Sequence, residues 1–366
     1  MPKTLFVGST KAGQTRVEDS PFYGTIPNPS VQKEGILAVA VADDGAITPG
    51  AFFPLDTHIG WIERHPTNGL IYAAGGGRLF SLKEADGGTL HRLTTAETIG
   101  DPCHFTISAD GKWALAASYG GGTLCVIPIL ADGILGAATD SKLHSADWLK
   151  ESLADRQESC HPHQIKLDPT GQWALSCDLG ADRVWVYAFD GARGALVGAA
   201  NSDRHLALTE GAGPRHLAWH PSGQWAFVLC ELDGYIVTCS WDGPAGRLAP
   251  TSKVFSLADG VTPSRAHHSG GAHIAASADG RMVYATTRTD GAVVAFAVDA
   301  ASGALSRVQA VPCGGVCPRM FLLDGARLLC GNQDSQNVVS FPIKEDGTLG
   351  DGVATALDGV CPAVIM

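Results

Sequence analysis

The chain has 366 residues, of which 45% are hydrophobic and only 17% charged, so it is not a disordered chain and it can bury a sizeable core. Its 45 glycines and 20 prolines require many turns and exclude an architecture of long helices. The formal net charge of -11 disfavours nucleic acid and anionic membranes as partners, since both need basic patches, but it permits a local positive funnel for an acidic substrate.

The first residues, MPKTLFV, lack the apolar core of a signal peptide, and no later run is long and apolar enough to span a membrane. The ten cysteines fall mostly inside apolar runs, as at Cys125, Cys177, Cys230, Cys239 and Cys330, where they behave as small buried hydrophobes. No CxxC occurs, and Cys313-x-x-x-Cys317 lacks the paired spacing of a structural zinc site. Together these features predict a cytoplasmic protein with free thiols.

In chain order, a strand is predicted over 4–8, followed by a polar segment, 9–34, with neither helical nor alternating period; it reads as a long loop and a candidate lid. Strands follow over 35–41 and 50–55. A recurrent unit then begins, shortened at 60–82 and fuller at 101–129, 160–189, 213–241, 271–298 and 317–343. Each unit is a polar entry, an apolar strand, a turn ending in glycine, a second apolar strand, a polar turn and a third strand. The turn glycines Gly69, Gly111, Gly171, Gly223, Gly280 and Gly325 lie roughly 40–60 residues apart, the period of propeller blades. Segments 191–196 and 299–305 supply outer strands, and 145–157 is the one predicted helix. The first strands lack an innermost partner, which the last residues, CPAVIM, can supply. Pairing the two termini in one blade closes the ring and removes its open edges. The prediction is a single all-β domain over 1–366, a seven-bladed β-propeller, and a closed ring of this kind needs no partner, which predicts a monomer.

The repeat also organises the chemistry. Eight residues before the turn glycine stand Trp61, Cys103, His163, Arg215 and Ala272; eight after it stand Gly77, Tyr119, Leu179, Glu231, Arg288 and Gln333. A packing position holds one residue class, as the Trp113, Trp173, Trp225 position does. These two rings instead vary through His, Arg, Tyr, Glu and Gln, as expected of a site on the central channel. His104, His216 and His273 recur one residue along and predict a structural hydrogen bond within each blade. Arginine at a channel mouth requires an anion or carboxylate, so Glu231 is the natural partner of Arg215 or Arg288. Gly120-Gly121-Gly122 is followed by no phosphate-loop lysine, and no G-x-S-x-G elbow is present, which argues against a nucleotide site and a serine acyl-enzyme.

At these residues the chain resembles the seven-bladed propeller lactonases, a family that includes propeller-type 6-phosphogluconolactonases and carboxy-cis,cis-muconate cyclases. The stretches SYGGGTLCVIPI, RQESCHPHQIKLDPTG, DLGADRVWVYAF, GPRHLAWHPSG, ELDG, TTRTDGAVVAFAV, CPRMF and GNQDSQNVVSF carry the likeness over 102–366. The resemblance implies a catalytic group of His163, Arg215, Glu231 and Arg288, with His161, Tyr119, Arg319 and Gln333 as further substrate-binding positions. It implies a hydrolase that opens a small anionic sugar lactone with no cofactor or metal: His163 activates water, the arginines stabilise the oxyanion, and Glu231 orients an arginine or acts as the acid. Lys11, Arg16, Lys33, Arg78, Arg156 and Arg265 are candidates for reaching a phosphate. The alternatives are a lactonising cycloisomerase acting on a muconate, a lactonase for unphosphorylated aldono- or aldarolactones, a metal-dependent lactonase built on Glu231, Asp178, Asp290 and Asn332, and a non-enzymatic propeller binding partners on its face. The chain departs from the family in its long 9–34 segment and its shortened first repeat. If Arg319 matches Arg215, the run on to Gly325 is also two residues short.

Overall fold

The computed structural model describes residues 3–11, 32–144, 155–198, 204–263 and 270–366. Seven antiparallel sheets are arranged as blades, six of four strands and one of five. The innermost strands of blades 1 to 6 are Trp61–Arg64, Pro102–Ile107, Pro162–Leu167, Pro214–Trp219, Gly271–Ala276 and Pro318–Asp324. Blade 7 is the composite: Cys361–Ile365 is its inner strand and pairs with Lys3–Thr10, which pairs with Gly35–Val41 and then Ile47–Pro54. Each inner strand packs on the next, and the ring closes where Cys361–Ile365 meets Trp61–Arg64.

Apolar side chains that alternate along the strands are buried between blades, not within them. Seven apolar clusters result, one at each blade–blade interface; Leu175, Val184, Leu217 and Val228, for instance, join blades 3 and 4. The recurring tryptophans lock this packing. Trp113 Nε1 donates to Gly191 O of blade 3 and Trp173 Nε1 to Gly243 O of blade 4, both at 2.8 Å. Gly194 (φ 64°) and Gly246 (φ 62°) lie directly against these two indoles, where a Cβ would collide with the ring.

The shortened first repeat is a complete blade: its second and third strands, Ile71–Gly75 and Arg78–Glu84, meet in a tight Gly76-Gly77 turn, and Leu90–Glu97 is its fourth strand. The helix expected over 145–157 lies for residues 145–154 outside the described residues, and Asp155 and Arg156 form a turn. Of the segment expected as a lid, residues 12–31 lie outside the described residues. Ser9 and Thr10 instead extend the first strand, and Lys11 O accepts Gln333 Nε2 at 2.7 Å. Among the described residues no helix is long and apolar enough to cross a membrane.

Candidate active site

The inner strands do not run straight into the channel. Register shifts fall between Pro102 and His104, Pro162 and Gln164, Pro214 and His216, Gly271 and Ile274, and Pro318 and Met320. Each is a β-bulge at the entry of an inner strand, and a bulge frees a residue from the pleat and re-aims its side chain. The freed residues are Cys103, His163, Arg215, Ala272 with His273, and Arg319. Opposite them, the residue just past each second strand forms the other ring, and the rings are tied backbone to backbone. Glu231 N donates to Gly213 O at 2.7 Å, Arg288 N to Gly270 O at 2.8 Å and Gln333 N to Cys317 O at 2.9 Å.

Glu231 is the centre of the arrangement. Its Oε2 meets Arg215 Nε at 3.0 Å and Arg288 Nη2 at 2.8 Å, while Oε1 takes Arg156 Nη2 at 2.5 Å; all four side chains are 5% exposed or less. Burial alone would raise the carboxyl pKa, but Arg288, Arg156 and Arg215 outweigh it and hold the group far below the usual carboxylate range. Burial and the neighbouring Arg288 charge lower Arg215 to about 9, which leaves it charged at neutral pH. The guanidinium groups are also braced by backbone: Arg215 Nη1 donates to Ala272 O, and Arg288 Nη2 to Gly271 O at 3.2 Å.

His163 lies beside this cluster. Burial, then the Arg215 charge, holds its pKa well below the ordinary histidine value, so the imidazole is neutral at pH 7. Tyr119 meets it edge-on at 5.4 Å and stacks on His161 at 4.1 Å. His161 is occupied with structure: Nδ1 donates to Tyr119 O at 2.9 Å, and Nε2 lies 3.0 Å from Glu158 Oε1. Its own backbone N–H donates to Asp178 Oδ1 at 2.7 Å, and Asp178 Oδ2 lies 2.6 Å from His144 Nδ1, so a fully buried carboxylate fixes the HPH turn. Cys103 lies 4.0 Å from His163 Nδ1, but burial raises its thiol to about 11, so it is no nucleophile at neutral pH.

Beneath the cluster an aromatic layer crosses the channel. Trp61 meets His104 at 4.0 Å with the rings tilted by 37°, and reaches His216 and His273 at 5.9 and 6.0 Å. Arg215 Nη1 lies 3.4 Å from His216 Nε2, and His216 Nδ1 lies 2.9 Å from His273 Nδ1. Because arginine can only donate, the network assigns His216 its proton on Nδ1, from which it donates to His273. The hydrogen bonds expected within each blade therefore run between blades, because neighbouring inner strands approach most closely at the axis. A cavity of about 340 Å³ lined by Asp279, Arg281, Tyr284 and Lys344 lies away from this cluster.

Residues 25–363 match the family described as Lactonase, 7-bladed beta-propeller. The chain belongs to that family. It is 31% identical over 251 residues to the 6-phosphogluconolactonase of Bacillus subtilis (strain 168), a match covering 68% of each chain. Among solved structures it resembles a candidate 6-phosphogluconolactonase of Bacteroides uniformis and the periplasmic gluconolactonase of Pseudomonas aeruginosa. Each likeness has 25% identity and a TM-score of 0.83, covering 99% of this chain and 98% of the other. The expectations of the propeller fold and of a lactone-opening enzyme are borne out.

Of the residues singled out in the sequence, His163, Arg215, Glu231 and Arg288 converge at the channel, and Tyr119 joins them. Arg319 stands at the bulge of blade 6, where its Nη1 donates to Gln333 Oε1 at 3.3 Å. The two-residue deficit before Gly325 arises because Asp324 pairs directly with Arg327 across a tight turn, so Arg319, not Cys317, belongs to the ring. Of the candidate phosphate ligands, Arg16 and Arg265 lie outside the described residues. Lys33 pairs with Asp358 at 3.5 Å, Arg78 lies over the Phe80 ring, and Arg156 alone reaches the cluster. The four groups considered for a metal do not converge. Glu231 is surrounded by cations, Asp178 serves His161 and His144, Asp290 Oδ2 accepts Ala258 N at 2.7 Å, and Asn332 Nδ2 donates to Cys313 O at 3.0 Å. Among the described residues no group of three or more His, Cys, Asp or Glu side chains is arranged to hold a metal. The bulges went unread in the sequence, as did Asp182, whose Oδ1 accepts Gln157 Nε2 at 2.8 Å; Arg156 was read there as a phosphate candidate and not as a partner of Glu231.

Proposed function

We propose that the protein hydrolyses a small anionic sugar lactone, 6-phosphogluconolactone by preference, through water activated by His163. The observation that supports this reading best is a neutral imidazole beside three arginines that share one ionised, buried carboxylate. His163 removes a proton from water as its oxygen attacks the lactone carbonyl. The oxyanion that develops meets the guanidinium donors of Arg215 and Arg288, each such donor being worth roughly 3–4 kcal/mol in the transition state. The carbonyl carbon then releases the ring oxygen, and the imidazolium returns its proton to that alkoxide, giving the open hydroxy acid. Glu231 stays ionised throughout, so its role is to orient the arginines and not to supply the proton. Tyr119, supported by His161, and Arg319, supported by Gln333, frame the substrate.

The relatives named as 6-phosphogluconolactonases favour the phosphorylated substrate, and the ten free cysteines fit a reducing compartment. We read the closed ring as a monomer. The test is proton release at neutral pH with 6-phosphogluconolactone, gluconolactone and a glucarolactone, for wild type and His163→Ala, with and without chelator. Turnover above the spontaneous rate that is lost in His163→Ala and indifferent to chelator is expected. Rates equal to buffer on the whole panel would sink the reading.

A further inference from the structure

Arg319 differs from the other two arginines of the rings in what its guanidinium meets. Arg215 and Arg288 both hold Glu231 Oε2, at 3.0 and 2.8 Å, and both donate to a backbone oxygen of blade 5. Arg319 makes one hydrogen bond, from Nη1 to the neutral amide oxygen of Gln333 at 3.3 Å, and no ion pair among the described residues. Burial, then the Arg288 charge, lowers its pKa, and Glu231 acts on it more weakly than either. A guanidinium carries five N–H donors in one plane, and here a single one is spent on a protein acceptor.

Its position is nonetheless fixed. Pro318 pairs with Asn332 and Met320 with Gly331, so the bulge turns Arg319 out of the ladder toward the axis. Gln333 then holds it: its N–H donates to Cys317 O at 2.9 Å and its Nε2 to Lys11 O at 2.7 Å, which aims Oε1 at the guanidinium. At the equivalent position blade 4 carries Glu231, which neutralises the arginines it holds. Blade 6 carries an amide of the same length, which orients Arg319 and leaves its charge in place. That charge contributes to the lowered pKa of His163 and of Arg215, so the guanidinium borders the same space as the imidazole. The side chain is half-buried, and a partly desolvated cation facing only an amide is stabilised when an anion joins it.

We propose that Arg319 is the specificity-determining residue of this site: it binds the phosphate of a phosphorylated lactone, while Arg215 and Arg288, tied to Glu231, serve the reacting carbonyl. The proposal rests on the lactonase reading. A phosphate monoester presents several oxygens to the planar fork and matches its unspent donors in pairs. An uncharged lactone offers the same ring to His163 and nothing of that kind to Arg319. Loss of Arg319 therefore falls unequally on two substrates that differ only in the phosphate.

The experiment compares wild type, Arg319→Met, Arg319→Lys and Gln333→Glu on 6-phosphogluconolactone and gluconolactone. The wild type is expected to favour the phosphorylated lactone in kcat/KM. In Arg319→Met the ratio of the two kcat/KM values falls on the order of tenfold or more, the size expected for losing a charged hydrogen bond. The change lies mainly in KM for the phosphorylated lactone, and Arg319→Lys, which keeps the charge without the fork, recovers part of the ratio. Gln333→Glu leaves Arg319 in place but gives it a carboxylate partner, so the ratio falls there too. A merely structural Arg319 would be held at least as well by that carboxylate, and the ratio would stay. An unchanged ratio in Arg319→Met, with both substrates slowed by one factor or neither affected, overturns the proposal. So does an unchanged ratio in Gln333→Glu, or a wild type with no preference. A wild type inert on both lactones overturns the lactonase reading instead. Calorimetric titration with inorganic phosphate then decides on Arg319: tighter binding in wild type than in Arg319→Met supports its role, and equal or absent binding refutes it. If Arg319→Met or Gln333→Glu does not hold its fold by circular dichroism, the remaining variants carry the same comparison.

Discussion

Glu231→Gln is the most direct perturbation of the arginine cluster. Glutamine keeps the length and one acceptor of the side chain but removes the charge that Arg156, Arg215 and Arg288 share at 2.5, 3.0 and 2.8 Å. Removing one partner of a buried ion pair costs about 3–5 kcal/mol, because the other charge stays desolvated without compensation. Three guanidinium groups lose their contact with this carboxylate at once, so the upper part of that range is expected. For a chain of this length about 4–5 kcal/mol corresponds to a fall in Tm of roughly 6 °C. Calorimetry measures that fall, and lactone hydrolysis should be lost with it because the arginines are no longer held. Two controls separate the electrostatic account from simple misfolding. Phosphate or sulfate should restore stability to the variant more than to wild type, by binding where the carboxylate charge was removed. Glu231→Gln with Arg156→Met should be more stable than the sum of the two single changes predicts, because one of the cations that Glu231 neutralised has gone with it. A Tm close to that of wild type together with retained kcat/KM would refute the reasoning, since the carboxylate would then neither neutralise nor orient anything.

The sequence carried the blade count and the two rings because both follow from periodicity. Positions equivalent in every repeat share one packing environment, so the departures at His163, Arg215, Glu231 and Arg288 stood out against it. What joined those residues did not follow from spacing. The bulges at Pro162–Gln164, Pro214–His216 and Pro318–Met320 are a backbone property marked in the sequence only by the proline that precedes each freed residue, and the last of them decides that Arg319 faces the channel and Cys317 does not. The inter-blade contacts of His216 and His273 escaped for a related reason. A repeat shows what each blade does internally, whereas the axis is where different blades meet. Arg156 lies outside the repeat altogether, and its place depends on the Gln157–Asp182 hydrogen bond between segments 25 residues apart. Non-repeating connections therefore add to a propeller site what the blade grammar cannot encode.

Two further expectations follow from the same geometry. Asp182→Ala releases Gln157, Gly211 and Gly213 together, so it should lower kcat/KM on both lactones by mislocating Arg156 and Arg215 while leaving the blades folded; steady-state kinetics beside far-UV circular dichroism check this, and unchanged kinetics would count against the coupling. Acid sensitivity is the other. Burial is the leading cause holding His104, His163 and His216 well below the usual histidine value and His273 at about 3, so these rings stay neutral in the folded chain. Below pH 6.5 the unfolded chain binds four protons that the folded chain refuses, and stability falls as pH falls toward the folded values. Glu63 and Asp233, raised by burial to about 7 and about 6, act in the opposite sense and offset two of the four. The net difference of about two protons amounts to roughly 3 kcal/mol lost per pH unit between pH 6 and 5. Hydrolysis should nonetheless persist below pH 6.5 for as long as the fold does, because His163 remains an unprotonated base there. Urea midpoints that stay level or rise between pH 7.5 and 5.5 would show that the channel histidines are solvated and free to charge, and would remove the physical basis for His163 as a neutral base held at low pKa.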